Sequence, residues 1–151
     1  MKILLAIDNS KFSDAALQTV IAQSRPDSSE VRVVQVVEPV DVIFPQGKWE
    51  LGMSRDLEEV RKEKLGRAQQ MVSAAAESLR DKGFRNVDTA VREGDARVEL
   101  INAATEWPAD LIVVGSHGRK GLDRFLLGSV SEFVIRHAPC SAEVVRLPAG
   151  S

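Results

Sequence analysis

The sequence predicts an α/β protein in which a doubly wound parallel sheet of five strands lies between layers of helices. Short apolar, β-branched runs alternate along the chain with segments of helical periodicity. Three of the runs are almost continuously hydrophobic, as expected of parallel strands that are covered on both faces. The predicted strands are Lys2 to Ile7, Val31 to Val37, Asn86 to Val91, Asp110 to Val114 and Ala142 to Leu147.

Helical segments fill the intervals between these strands. The clearest begins after Asp95, a predicted N-cap, and stops at Pro108. A first helix is predicted after Ser13, and a longer second helix ends at Gly83. The order is therefore βαβαβαβαβ, which requires right-handed crossovers between parallel strands.

The last helix is predicted to start at Ser129, because Ser129 and Glu132 have the spacing of a capping box. It ends before Pro139, since a proline disfavours helical backbone in the residue that precedes it. The helix thus follows Gly128 directly.

The stretch from Glu38 to Met53 shows no clear period and contains two prolines and two glycines. We expect a long loop, and loops of this length inside a compact domain are usually functional or disordered. Phe44 and Trp49 argue against disorder and leave two possibilities, a lid over a ligand or packing against the second helix. No repeat or interdomain linker is visible, so residues 1–151 are expected to form a single domain.

The composition is that of an ordinary globular protein, with 44% hydrophobic and 28% charged residues. The net charge of −2 implies no broad electropositive surface, which disfavours nucleic-acid binding. No apolar run suits a signal peptide or a membrane span, and the lone Cys140 cannot form an intrachain disulfide. We therefore expect a cytoplasmic protein with neither a nucleic-acid nor a membrane partner.

Glycines cluster directly after the fourth strand, where Gly115 and Gly118 are separated by two residues and Gly128 follows after nine more. Glycine lets a phosphate approach main-chain N–H groups, and a helix N-terminus adds unpaired donors and the positive end of a dipole. Spacing alone leaves two interpretations open: tight turns that lead into a helix, or a phosphate-binding loop.

Two common phosphate-binding motifs do not fit these glycines. A P-loop needs a Lys-Ser or Lys-Thr pair after its second glycine, and no such pair follows Gly118. A dinucleotide fingerprint needs glycines after the first strand, where Asp8-Asn9-Ser10 stands instead. The glycines therefore belong to neither motif.

The pattern Gly115-x2-Gly118-x9-Gly128-Ser129 resembles the nucleotide-binding signature of the universal stress protein family, in its ATP-binding branch. The segment from Ile3 to Ser10 is similar to the family's opening strand with its Asp-x-Ser end. Ala138-Pro139-Cys140 and the following Val144-Val145-Arg146 resemble its closing strand. The resemblance covers the whole chain.

This resemblance implies the Rossmann-like fold of the adenine nucleotide alpha hydrolases, with strand order 3-2-1-4-5. Strands one and four are then neighbours whose following connections leave in opposite directions, and ligands of such sheets bind at that switch point. Asp8 and Gly115 lie at the carboxyl ends of these two strands. The residue pattern and the resemblance therefore select the same crevice.

The resemblance also implies a ligand, ATP or alternatively AMP or cyclic AMP, with Mg²⁺ held through the phosphates. Asp8 has a second interpretation, capping of the first helix together with Ser10, and no catalytic role is expected of His117. By matching position, the residues expected at the adenosine, the ribose and the phosphates are Ile7, Asp8, Val36, Val114, Gly115, His117, Gly118, Arg119, Gly128, Ser129, Val130 and Ser131.

Members of the family commonly form homodimers by pairing the last edge strand, here Ala142 to Leu147, with its copy. An exposed sheet edge is a ready pairing site. Glu143 departs from the apolar run usual there and suits such a dimer only if it points outward. Gln35 stands where a histidine is frequent, directly before the predicted adenine contact Val36.

The function implied is that of a nucleotide-dependent regulatory module of the stress response, which changes a surface presented to an unidentified protein partner. No nucleophile, base and orienting acid occur together, so slow ATP hydrolysis or autophosphorylation has no support from spacing. A nucleotide-independent dimeric scaffold is the third possibility.

Overall fold

A computed structural model describes residues 1–39, 51–118 and 127–147, with the side chains of 51–55 left out. Five strands and four helices alternate along this part of the chain, in the predicted order. They are β1 (Lys2–Ala6), α1 (Lys11–Gln23), β2 (Glu30–Val37), α2 (Leu51–Asp81), β3 (Asn86–Glu93), α3 (Ala96–Glu106), β4 (Leu111–Gly115), α4 (Ser129–His137) and β5 (Ser141–Val145).

The strands form one parallel sheet in the order β3-β2-β1-β4-β5, which confirms the predicted fold class. Leu4 of β1 pairs with Arg32 of β2 on one side and with Ile112 of β4 on the other. β1 is therefore the central strand, and β3 and β5 are the two edges of the sheet.

The hydrophobic core consists of two layers, one on each face of the sheet. Ile3 and Leu5 are fully buried in the layer beneath α1 and α2. Leu4 and Ile112 are fully buried in the layer beneath α3 and α4. Successive side chains of a strand point to opposite faces, so a nearly continuous apolar run fills both layers at once.

The starts of the first and third helices are set by side-chain caps. The prediction that the first helix starts after Ser13 is wrong, because α1 begins at Lys11 and Ser10 is its N-cap. The Ser13 N–H donates to Ser10 Oγ at 3.2 Å. The predicted cap of α3 is confirmed, since the Arg97 N–H donates to Asp95 Oδ1 at 2.9 Å.

The predicted capping box of the last helix is wrong. The N-cap of α4 is Gly128, which makes no side-chain cap, and Ser129 is the first helical residue. The reason is a tertiary hydrogen bond, in which the Gly128 N–H donates to Ser116 O at 2.7 Å and fixes the entry of the helix. The predicted end of the helix before Pro139 agrees with the C-cap at Ala138.

The second helix is longer than predicted. α2 begins at Leu51, so residues 51–53 of the expected loop have helical backbone, whereas residues 40–50, with Phe44 and Trp49, lie outside the described part. Gly52 costs a helix only about 1 kcal/mol, which a helix of 31 residues tolerates. Among the described residues, no helix combines the length and the apolar character needed to cross a bilayer.

The ends of the strands are set by pairing with the neighbouring strand rather than by amino-acid composition. β5 ends at Val145, opposite Gly115, the last residue of β4, so Arg146 and Leu147 lie beyond the predicted last strand. β3 continues past Val91 to Glu93, because Glu93 still has a partner in Val37 of β2.

Candidate functional site

The sheet has its switch point between β1 and β4. α1 follows β1 and packs on one face of the sheet, whereas the chain after β4 leads to α4 on the other face. A crevice therefore opens at the carboxyl ends of these two strands, where ligands of doubly wound sheets bind. Asp8 follows β1 and Gly118 follows β4, and a Cβ added to Gly118 would lie 3.1 Å from Asp8 Oδ2.

Asp8 is held in place by the first turn of α1. Its N–H donates to Ser13 Oγ at 2.6 Å, and the Ser13 hydroxyl donates to Asp8 Oδ1 at 2.7 Å. Ser13 is buried, so water does not compete strongly for these bonds. Ser10, not Asp8, is the N-cap of the helix. The carboxylate thus has one oxygen tied to α1, and within the described residues Oδ2 has no hydrogen-bond partner.

Gly115 is constrained by packing of the helix α1. A Cβ at this position would lie 2.7 Å from Phe12 Cβ and 2.9 Å from the Phe12 backbone. Contacts this short do not occur for real Cβ atoms, so α1 can approach β4 only because residue 115 is glycine. Gly115 therefore has a structural role that is separate from any ligand.

The loop after β4 is tied to the N-terminus of α4 through Ser116. Besides accepting from the Gly128 N–H, Ser116 O accepts from the Ser131 hydroxyl at 2.8 Å. The same hydroxyl lies 3.0 Å from Gly128 O, and the Ser131 side chain is buried. Its proton is thus donated within the protein, which leaves the Ser131 N–H as the group available to a ligand.

The N-terminus of α4 presents unpaired donors. The first hydrogen bond of the helix joins the Glu132 N–H to Gly128 O at 3.0 Å, so the three preceding N–H groups have no helical acceptor. These belong to Ser129, Val130 and Ser131. No backbone acceptor for them is found in the described part of the chain. Together with the helix dipole they form an environment that favours an anion.

His117 lies between the loop and α1. Its Nδ1 is 3.0 Å from Ser116 Oγ, and its ring packs at a tilt against Phe12 with 5.2 Å between centroids. Nε2 is buried and has no partner among the described residues. A Cβ on Gly128 would come within 3.2 Å of the His117 Cα, so the two halves of the glycine motif are in direct contact.

The remaining predicted residues lie at the same edge of the sheet but not on one face. Ile7 packs against the core layer beneath α1 and α2. Val36 and Val114 belong to the layer beneath α3 and α4. Arg119 lies outside the described residues. Val114 is almost fully buried, so of these two residues only the partly buried Val36 has apolar surface available to a planar base on the α3–α4 side.

The described side chains include no cluster of three or more metal-binding groups. Mg²⁺ usually takes one or two carboxylates and completes its shell with phosphate oxygens and water. Asp8 Oδ2 is the carboxylate oxygen in this crevice that could serve. The residues present thus fit a metal that arrives with a phosphorylated ligand.

Sequence reasoning missed three residues of the site: Phe12, Ser13 and Ser116. Phe12 acts through a tertiary contact with Gly115, and Ser13 acts on Asp8 across the turn between β1 and α1. Ser116 stands inside the glycine motif, but it contributes its backbone carbonyl rather than its side chain to α4. A carbonyl is present at every residue, so no sequence signal could have singled it out.

The fold and the crevice define a class, the doubly wound α/β proteins with a glycine-rich, anion-compatible site at the switch point. Residues 1–146 match the model of the universal stress protein family. The chain belongs to the universal stress protein family.

Relatives and solved structures agree with this assignment. The chain is 32% identical over 151 residues to the universal stress protein Sll1388 of Synechocystis, covering 96% of this chain and 97% of the relative. It is 35% identical over 149 residues to the universal stress protein MJ0531 of Methanocaldococcus jannaschii, covering 97% and 82%. Universal stress protein UspA from Lactobacillus plantarum shares the fold with a TM-score of 0.83 over 97% of each chain, at 22% identity.

Proposed function

We propose that the crevice between β1 and β4 binds an adenine nucleotide, ATP first, and that the chain acts as a nucleotide-dependent regulatory module of the stress response. The observation that carries the proposal is the N-terminus of α4, whose N-cap Gly128 has no side-chain cap and contacts the loop containing Gly118. Its N–H donors and dipole suit the terminal phosphates of the ligand. Glycine at 118 keeps the path from the ribose to the phosphates open.

The same crevice also provides contacts for the adenosine part of the ligand. Asp8 Oδ2 is an acceptor for a ribose hydroxyl, and the Asp8 carboxylate is oriented in advance by Ser13. Val36, which is only partly buried, offers apolar contact to the base. Orientation in advance of binding reduces the entropy lost when the ligand is ordered. Mg²⁺ brought in with the phosphates would be held mainly by phosphate oxygens and water, and Asp8 would reach it through a bound water.

Two solved structures of the same fold support the ligand class. One is a universal stress protein in complex with cAMP, with a TM-score of 0.61 and 19% identity to this chain. The other, from Arabidopsis thaliana, has AMP bound, with a TM-score of 0.63 and 16% identity. The fold is thus compatible with adenine nucleotides that carry one phosphate, and the donors of α4 suit a longer phosphate chain.

The ligand can be identified directly. The purified chain is denatured with acid, and any released nucleotide is identified by chromatography and mass spectrometry. Calorimetric titration of the emptied protein with ATP, AMP and cyclic AMP, with and without Mg²⁺, then ranks the ligands. ATP is expected to bind most tightly and to gain affinity from Mg²⁺. Failure of all three to bind below about millimolar concentration would refute the proposal.

We further propose that the chain forms a homodimer through β5. The other edge strand, β3, is protected, since Arg80 of α2 donates to Val87 O at 3.0 Å and the strand carries three charged residues, Asp88, Arg92 and Glu93. β5 carries a single charge, Glu143. Strand alternation places Glu143 on the α1 face, with Val145, rather than in the plane of the edge. The charge therefore leaves the pairing groups of β5 accessible.

A further inference from the structure

A second cleft lies at the opposite, amino-terminal end of the sheet, on the α1 face. Its volume is about 350 Å³, within the range of roughly 300–1,000 Å³ typical of small-molecule sites. The floor is apolar and is formed by Val20, Leu111 and Val113. The rim is polar and is formed by Met1, Gln23, Ser24, Arg25, Ser28, Ser29 and Glu143. No residue of this cleft belongs to the crevice between β1 and β4.

Two unpaired charged side chains of opposite sign line the cleft, beside the amino group of Met1, which donates to Ser28 O at 3.0 Å. Glu143 of β5 is half-buried, and within the described residues its carboxylate makes neither a hydrogen bond nor an ion pair. Arg25, which follows α1, is exposed, and its guanidinium likewise has no partner in that part of the chain. The two side chains share a cleft without forming an ion pair with each other. A half-buried carboxylate over an apolar floor loses part of its hydration, so a ligand that pairs with it restores a favourable interaction.

The C-terminus of α1 adds to the negative electrostatic potential near the Glu143 carboxylate. Gln23 and Ser24 bring the C-terminus of the helix to the rim, and the last turn of α1 contains no basic side chain. The Ser24 N–H satisfies Val20 O at 3.0 Å, but the following carbonyls keep the negative end of the helix dipole. A cationic group is therefore favoured between α1 and Glu143, and an anionic group is favoured beside Arg25.

We propose that this cleft binds a small zwitterion, an α-amino acid with an apolar side chain. The ammonium group pairs with Glu143 and the end of α1, the carboxylate pairs with Arg25, and the side chain covers the floor at Val20 and Leu111. Ligand pockets typically combine apolar walls with a few polar groups that fix orientation, as this cleft does. The inference does not rest on nucleotide binding, because it concerns the other end of the sheet.

The test is calorimetric titration of the full chain with L-leucine and with its two half-ligands, isoamylamine and 4-methylpentanoate. Leucine is expected to bind, and each half-ligand, which lacks one charge, is expected to bind at least about tenfold more weakly. Equal binding of leucine and either half-ligand would overturn the zwitterion proposal, as would the absence of binding by leucine and by a pool of the other amino acids at millimolar concentration.

Variants identify the cleft as the site. Glu143→Gln and Arg25→Gln are each expected to weaken leucine binding by about tenfold or more. Glu77→Gln, an exposed change on α2, is the matched control and should leave the affinity unchanged. Sedimentation velocity and circular dichroism of the same variants show whether dimerisation or folding has changed. Leucine binding by Glu143→Gln at the wild-type affinity would place the ligand elsewhere and refute the proposal.

Discussion

Asp8 and Gly118 face each other across the switch point, with 3.1 Å between Asp8 Oδ2 and the position that a Gly118 Cβ would take. Replacing Gly118 by valine would put methyl groups between the carboxylate and any ligand that follows the loop. We predict that Gly118→Val weakens ATP binding by at least about tenfold while the urea midpoint stays near that of the wild type. Calorimetry measures the first quantity and circular dichroism the second.

The matched control for this change is Gly66→Val on α2. A Cβ at Gly66 meets nothing within 4 Å, and valine is a better helix former than glycine. The control should bind ATP normally and should be at least as stable as the wild type. Normal ATP binding by Gly118→Val would show that the proposed phosphate path is misplaced.

Gly115 is predicted to behave in the opposite way. Gly115→Ala forces a methyl group into Phe12, so we expect a loss of about 1–3 kcal/mol in the free energy of unfolding, measured by urea denaturation. Phe12→Ala in the same chain should not recover this loss relative to Phe12→Ala alone, because the clashing atoms are the Phe12 Cβ, carbonyl carbon and carbonyl oxygen, all of which alanine retains. An undiminished stability of the single Gly115→Ala variant would contradict the packing role.

Ser13 is predicted to affect both folding and ligand binding. Ser13→Ala removes the acceptor of the Asp8 N–H and the donor to Asp8 Oδ1, at a cost of about 1–3 kcal/mol because both groups are partly buried. The freed carboxylate also loses its fixed orientation, so ATP affinity should fall. Ser73→Ala, which removes an exposed hydroxyl on α2, is the control and should change neither quantity. If Ser13→Ala binds ATP with unchanged affinity, the orientation of the Asp8 carboxylate does not contribute to ATP binding.

The ion pair between Arg61 and Glu93 predicts a dependence of stability on pH. Hydrogen bonds from the Arg61 guanidinium, at 2.8 and 2.6 Å, lower the pKa of the Glu93 carboxyl below its ordinary value of 4.5. A carboxyl whose pKa is depressed by folding stabilises the fold above its unfolded pKa, and this contribution is lost as the pH falls through the folded pKa.

Arg61→Gln should therefore lower the melting temperature at neutral pH, and the difference from the wild type should shrink as the pH falls below 4.5. Arg67→Gln is the control, since Arg67 contacts Glu63 only at 3.8 Å and both side chains are exposed. A difference between Arg61→Gln and the wild type that is the same at every pH would exclude the ion pair as its cause.

Ile135 is predicted to contribute to the proposed dimer. It is 49% exposed on α4, on the side away from Phe133, whose ring lies beneath Arg97 of α3. Because α3 lies on the Phe133 side of α4, we assign Ile135 to the proposed β5 interface. Ile135→Glu should shift the chain from dimer to monomer in sedimentation velocity, whereas Val98→Glu, at an equally exposed position on α3, should not. Identical sedimentation of the two variants would argue against pairing through β5.

The fold could be predicted from the sequence because the sequence signals for its strands and helices are local and occur repeatedly. The apolar runs of β1, β2 and β4 fill both core layers, and each is followed by a helix with its own apolar stripe. Helix boundaries were harder to predict from the sequence, since the start of α4 depends on a hydrogen bond from the Gly128 N–H to Ser116 O across the loop. Ends of strands depended likewise on how far the neighbouring strand continues.

Part of the candidate site could be predicted from the sequence. Asp8 and Gly118 could be placed together because each follows one of two strands that the expected topology makes adjacent. The support that Ser13 gives to Asp8 depends on the conformation of the turn between β1 and α1. The contact of Gly115 with Phe12 depends on how closely α1 approaches β4. The second relation exists only once the helix has packed against the sheet.

The contact between Gly115 and Phe12 bears on how glycine motifs are interpreted across a family. A motif that requires glycine at both 115 and 118 combines two different requirements. Glycine at 115 is required for folding, whereas glycine at 118 is proposed to be required for ligand binding. A relative that has lost its ligand is expected to retain glycine at the position of Gly115, where the helix still has to pack, and to be free to vary at the position of Gly118. The second position, rather than the motif as a whole, should distinguish chains that bind a ligand from chains that retain only the architecture.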